Sequence, residues 1–397
     1  MRTLRLLGAA SLAAAVLVPL SQAGADPTCS WAAKTEPDTV NVAYPDTNAT
    51  YWSHPYAAVP GTELVVRGTY PKARYFSFNI YQPSGVPIDS TYDVKIAPDK
   101  GSSNPYAGGS TKAKKQTYTV HVRFEAKPAK PAPNTIYAGT MKLGNLKNPG
   151  GLLMLRVYTP VDPASPQGGV PLPTVTTQTT NGQVLTTGGA CSSDLPSTGG
   201  AGTTALNDSS RPADETVGPG TIEWGKAFGN NAAGFFGDQQ NAYLTAGIKR
   251  IYGPLVVIHA KAMRFPDTSR GIQPSRTDQV RYWSFCQNSL STRVNSCASD
   301  HETALDGKGY YTIVISDPSE RPANATKAKG VTWIPWGVAD DNATVIYRNM
   351  VVTFPQAVQA ITSKAQNPKA VMGAYYPSAR YCTKQAFEHG GWRGCLE

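Results

Sequence analysis

The chain has 397 residues, 40% of them hydrophobic and only 16% charged, which excludes a disordered polymer: there is apolar surface to bury and little charge to keep the chain open. Its 37 Gly, 32 Pro and 20 Tyr imply frequent turns and aromatic-rich strands, so an all-β plan is expected over a helical or α/β one. The formal charge of +10 leaves attraction to a polyanion open.

In chain order, Arg2 and Arg5 precede an apolar run from Leu6 to Leu20, and Ala23-Gly24-Ala25 places small residues where a signal peptidase reads. Residues 1–25 therefore read as a cleaved export signal. The run falls short of the roughly 20 apolar residues that cross a bilayer, so no stable membrane anchor is expected and the protein reads as secreted. A secreted chain is not expected to meet nucleic acid.

Four landmarks then occur twice in one order: Leu64-Val65-Val66 and Leu255-Val256-Val257, Arg74-Tyr75-Phe76-Ser77-Phe78 and Arg281-Tyr282-Trp283-Ser284-Phe285, Tyr118-Thr119-Val120 and Tyr311-Thr312-Ile313, and finally Arg156 and Arg348. The copies lie 191, 207, 193 and 192 residues apart, which predicts a duplication with an insertion between Ile258 and Arg281. Alternating aromatic and polar residues are the period-two mark of half-buried antiparallel strands. The expected fold is all-β and mainly antiparallel, with duplicated β-sandwich or jelly-roll domains and a few short helices, one near the C-terminus. The domains are read as a first sandwich over 26–160, a Gly/Ser/Thr/Pro-rich connector over 161–220, and a second sandwich over 221–397. Within the connector, Thr174 to Leu185 has the pattern of an edge hairpin turning through Asn181-Gly182. Glu223 to Leu244 reads as holding a short helix. The 3- and 4-residue spacing of Phe354, Ala357, Val358 and Ile361 predicts an amphipathic helix over Thr353 to Ala365, ended by Pro368.

All six cysteines follow the export signal, and an even number in an exported chain points to disulfides. Cys286 with Cys297 and Cys382 with Cys395 would close short loops and leave Cys29 with Cys191, although six cysteines allow 15 pairings.

The run Tyr44 to Trp52, followed by Leu64-Val65-Val66 and Arg74 to Phe78, resembles the opening of a widespread family of bacterial domains of unknown function. In that family an Asn/Asp-Asp-Thr-x-Tyr turn precedes a Gly-Arg-Tyr strand. Arg156-Val157-Tyr158 with Gly169 to Pro173 resembles the family's companion domain. The resemblance implies a tandem jelly roll similar to the double jelly rolls of viral capsid proteins, which often form trimers, and it implies no established reaction. Ala73 departs from the family's Gly, and the first turn is two residues longer.

No nucleophile elbow, metalloprotease helix or zinc-finger spacing occurs, and the Gly220 to Lys226 and Gly200-Ala201-Gly202 segments lack the context of nucleotide loops. Neither a metal nor a cofactor is expected. Candidate chemistry gathers at the first turn: Asp46 and His54 as an acid/base pair with Arg74 holding an anionic group. Asn48, Tyr51, Trp52, Asp89 and Asp93 are candidate binding residues, and the aromatics Tyr51, Trp52, Tyr56, Tyr75, Tyr81 and Tyr92 a candidate stacking platform for sugar rings. Between Lys95 and Lys130 eight basic residues face only Asp99 and Glu125. Three functions follow as expectations: binding of an extracellular or cell-wall glycan or anionic wall polymer, hydrolysis of such a polymer, or structural assembly as a homo-oligomer such as a trimer.

Overall fold

The computed structural model describes residues 29–38, 41–139, 142–143, 146–147, 150–189, 220–226, 236–268, 277–337, 341–351 and 368–397. The period-two segments form strands, because alternation gives each one an apolar face that only a second sheet can cover. The first half contains β1 (Ala33–Thr35), β2 (Ala49–Tyr56), β3 (Thr62–Thr69), β4 (Ala73–Tyr81), β5 (Pro87–Tyr92), β6 (Thr117–Arg123) and β7 (Thr135–Tyr137). It continues through the short β8 (Lys142–Leu143) and β9 (Leu146–Lys147) to β10 (Gly151–Pro160), β11 (Thr174–Thr179) and β12 (Val184–Thr187). The second half contains β13 (Thr221–Ile222), β14 (Gly225–Lys226), β15 (Asn241–Lys249), β16 (Leu255–Lys261), β17 (Tyr282–Ser289), β18 (Val294–Ser299), β19 (Tyr310–Ser316), β20 (Val331–Pro335), β21 (Asn342–Met350) and β22 (Ser378–Cys382).

Each half is a pair of five-stranded sheets, and the strand order is the same in both. The order β1-β2-β10-β4-β5 repeats as β14-β15-β21-β17-β18, and β12-β11-β3-β6-β7 repeats as β13-β22-β16-β19-β20. Even the exception is duplicated: β6 with β7 and β19 with β20 are the parallel pairs in sheets that are otherwise antiparallel. The duplication read from four landmarks is thus present in the sheet order, with two departures: β12 follows β11 in the chain whereas its counterpart β13 opens the second half, and the first landmark slips by one residue, because the inward-facing Leu64 and Val66 correspond to Val256 and Ile258. Trp31, Phe76, Phe78, Tyr118 and Leu155 fill the first core, and Trp224, Trp283, Phe285, Tyr311 and Tyr347 the second.

The edge hairpin expected at Thr174 to Leu185 is present, with β11 pairing to β3, so the first sandwich runs well past residue 160. Of the short helix expected over Glu223 to Leu244, the described residues lie in strands or turns, because Asn241–Lys249 pairs along its whole length with β21. The export signal, Cys191 and the helix expected over Thr353 to Ala365 lie outside the described residues. Pro368 opens a helix, Pro368–Met372, where the missing amide hydrogen of proline costs nothing. Two further helices, Lys384–Gly390 and Arg393–Leu396, form the C-terminal tail. Disulfides join Cys286 to Cys297 and Cys382 to Cys395, and Cys29 is also disulfide-bonded. Among the described residues no helix is long and apolar enough to cross a membrane.

Candidate functional site

Every residue of β4 and of β17 is buried, on both faces. One face of β4, with Phe76, Phe78 and Ile80, enters its own core, and the other, with Tyr75, meets the second half. Tyr75, Tyr158, Tyr282 and Met350 share one buried cluster, with the rings of Tyr158 and Tyr282 5.5 Å apart. The polar positions of the signature strands are therefore interface positions between the halves.

This interface is self-complementary, as a two-fold contact between identical subunits would be. The Asp46 carboxylate lies under the second half, where it accepts hydrogen bonds from Tyr282 Oη at 2.9 Å and Ser284 Oγ at 2.6 Å. Asp238 lies under the first half and accepts from Tyr75 Oη at 3.2 Å. Both aspartates form the same local turn: the amide of Asn48 donates to Asp46 and that of Gln240 to Asp238. Tyr51 Oη and Tyr243 Oη accept from the amides of Asp46 and Asp238. Two residues before each aspartate stands an aromatic residue in the left-handed region, Tyr44 at φ 54° and Phe236 at φ 53°. That conformation is uncommon for a bulky side chain. Here it turns each carbonyl toward an arginine of the opposite half: Arg348 donates to Tyr44 O and Arg156 to Phe236 O.

A second pair of contacts crosses beside the first. Arg74 Nη1 donates to both carboxylate oxygens of Asp300 at 2.9 Å, and Arg281 Nη1 to Asp93 at 2.8 Å. The insertion in the second copy breaks the symmetry, because it brings Thr268 to Arg74 Nε at 2.9 Å and Asp267 to within 3.5 Å of Nη2. Burial pushes the Asp93 and Asp238 carboxyls above the usual range, opposed by Arg281 and Arg156 respectively.

The residues expected to act together are thus held apart by their partners. Asp46, Arg74 and Asp93 are 0% exposed and hydrogen-bonded across the two halves, where a solvent-borne substrate has no access to them. His54 is bonded instead to Ser30 O, and burial lowers its pKa. Asn48 reaches Glu302 Oε2 at 3.4 Å, and Asp89 accepts from Lys127 Nζ and from the Tyr137 amide. Tyr51, Trp52, Tyr75 and Tyr81 are buried and Tyr56 and Tyr92 half-buried, so these aromatics form core and interface and no open stacking platform. Asp238, Asp300, Arg156, Arg281, Tyr282, Ser284 and Arg348 were not singled out in the sequence as site residues. The signal for them is the repeat itself, since Arg74 to Asp93 and Arg281 to Asp300 have the same separation.

The two halves differ on their outer sheets. Register matches Glu63, Val65, His121 and Gln178 to Leu255, Val257, Val314 and Cys382 of the second half. In the second half these residues form an apolar cluster with Phe387, Trp392, Cys395 and Leu396 of the C-terminal tail. In the first half Val65 is likewise apolar and buried, but the other three positions are polar: Glu63, itself only 4% exposed, accepts from Gln178 Nε2 at 2.8 Å and contacts His121 Nδ1 at 3.2 Å. Arg67 and Arg123 are exposed on that face. Beside it runs the loop before β6, pinned by Asn104 Nδ2 to the carbonyls of Asp93 and Ile96 and by Tyr106 Oη to Pro71 O. That pinned loop carries Lys100, Lys112, Lys114 and Lys115, all exposed and none ion-paired among the described residues.

Fold and site together define a two-sandwich all-β protein with a buried polar seam and a basic outer face on one half. No family model matches the chain, and no curated protein does either. It is similar in fold to a crystal structure of an uncharacterised protein from Burkholderia cenocepacia, at 12% identity and a TM-score of 0.50, over 82% of this chain and 79% of that one. A crystal structure of a Vibrio parahaemolyticus protein aligns at 11% identity and a TM-score of 0.41, over 86% of this chain and 90% of that one.

Proposed function

We propose that the protein is an exported, disulfide-stabilised binding protein whose first half holds an anionic polymer of the cell wall or extracellular matrix. One observation carries the reading: three outer-face positions that are apolar and packed under the C-terminal tail in the second half are polar in the first, where Arg67 and Arg123 are exposed near a pinned loop with four lysines that form no ion pair among the described residues. Fixing the loop lowers the entropy lost when its charges engage a ligand. The net charge, +10 for the whole chain and +8 without Arg2 and Arg5 of the export signal, adds long-range attraction of the same sign. Export is supported by the first 25 residues and by disulfides, which persist in oxidising compartments. In this reading the paired sandwiches are jelly rolls, with the repeated strand order as support.

Retention on an acidic wall polysaccharide, with neutral chitin as control, tests the proposal. Binding is expected at low salt, should fall between about 0.05 and 0.2 M salt as screening shortens the reach of the lysines, and should weaken by about tenfold in a variant with Lys100, Lys112, Lys114 and Lys115 changed to Gln. Equal retention on chitin, or binding indifferent to salt and to the four changes, would overturn it.

A further inference from the structure

The first sandwich ends in a strand that covers nothing. β12 hydrogen-bonds to β11 on one side and is the last strand of its sheet. All four of its residues are exposed. Val184 and Leu185, successive residues whose side chains point to opposite faces, are 57% and 49% exposed. A strand bare on both faces contributes little to its own sandwich.

Sheet edges are normally protected against pairing with another chain by Lys, Pro, bulges or covering segments. Some other edges of this protein follow that rule: β1 carries Lys34, β5 opens with Pro87 and β20 ends in Pro335, while β7, β13 and β18 lack such a residue but have at most one exposed position each. β12 has no such guard. From Pro163 to Ser193 the chain carries no charged residue, and among the described residues no backbone bond ties the outer edge of β12.

We infer that β12 is an edge-pairing surface and that its occupant is β12 of a second copy, antiparallel about a two-fold axis. Charge argues for this occupant. Molecules that each carry +8 once Arg2 and Arg5 leave with the export signal (10 − 2) repel over most of their surface, and an uncharged edge is where two of them can approach. An antiparallel edge also complements itself: the donors and acceptors of one copy meet those of the other, and Val184 and Leu185 of each cover their counterparts. The two-fold closes the contact, giving a dimer with one ten-stranded sheet and no open fibre.

Light scattering over a concentration series of the purified protein tests this. The mass should rise toward twice the monomer with concentration, and Val184→Lys/Leu185→Lys should remain monomeric with an unchanged melting temperature. Amide exchange offers a second readout that needs no variant, because the amides of 184–187 should exchange more slowly in the concentrated sample. A wild-type monomer at all concentrations would overturn the inference. So would a dimer that survives both lysines, or amides at 184–187 indifferent to concentration.

Discussion

Arg74 and Arg281 each take a full charge out of water, and each meets a carboxylate supplied by the other half of the chain. A buried pair of this kind contributes modestly when intact and costs heavily when one partner is removed. Asp300→Ala should therefore destabilise the protein by about 3 kcal/mol in a denaturant titration, since it leaves Arg74 only the more distant Asp267 as counter-charge and frees the Trp283 amide bonded to the same carboxylate. His54 makes a prediction of the opposite kind. Burial lowers its folded pKa below the ordinary value of about 6.5, so between the two values the unfolded chain binds the proton first. Stability linked to His54 is lost as pH falls through that window, and His54→Gln should flatten the difference in unfolding free energy between pH 5 and pH 7. An identical slope in the variant would reject the assignment. At this scale the sequence displayed the right residues with the wrong partners. Asp46 and Arg74 stand near each other along the chain, but the partners that each meets across the seam lie more than 190 residues away. Only the repeated Arg to Asp separation hinted at the exchange.

Strands were the most legible elements, because a period of two survives in β4, β6, β17 and β21 whatever lies beyond the sheet. What the period does not reveal is whether the second face meets water or protein. β4 and β17 alternate like half-exposed strands, yet both faces are buried, since Tyr75 and Tyr282 serve an interface polar enough to resemble a surface. The C-terminal tail was legible for a different reason: two cysteines at short separation announce a closed loop. Cys382 and Cys395 span 13 residues and hold Phe387 and Trp392 against Leu255 and Val257. Replacing both cysteines with Ser should cost about 2–4 kcal/mol. Limited proteolysis should then cut near Lys384 or Arg393 in the variant and spare the wild type.

As a whole molecule the protein should behave as one cooperative body. Asp46 completes the second half and Asp238 the first, so neither sandwich satisfies its buried polar groups alone. Calorimetry should show a single transition, and Asp46→Ala should lower the melting of the second half together with the first. Two separable transitions, with only one moved by Asp46→Ala, would mean that the seam couples nothing. The charge asymmetry also belongs to this scale. The two halves share a strand order but have diverged on their outer faces, one sealed by a tail and one left polar, which gives a duplicated fold a single differentiated surface.

The exchanged turns also bear on synthesis. Ribosomes deliver the chain from its N-terminus, so Tyr75 and Arg74 emerge long before Asp238 and Asp300 exist. Until those residues arrive, the nascent first sandwich holds a guanidinium and a phenol with their native partners still unmade. Its maturation must wait on the last third of translation, and a prematurely terminated product would leave that seam open to solvent.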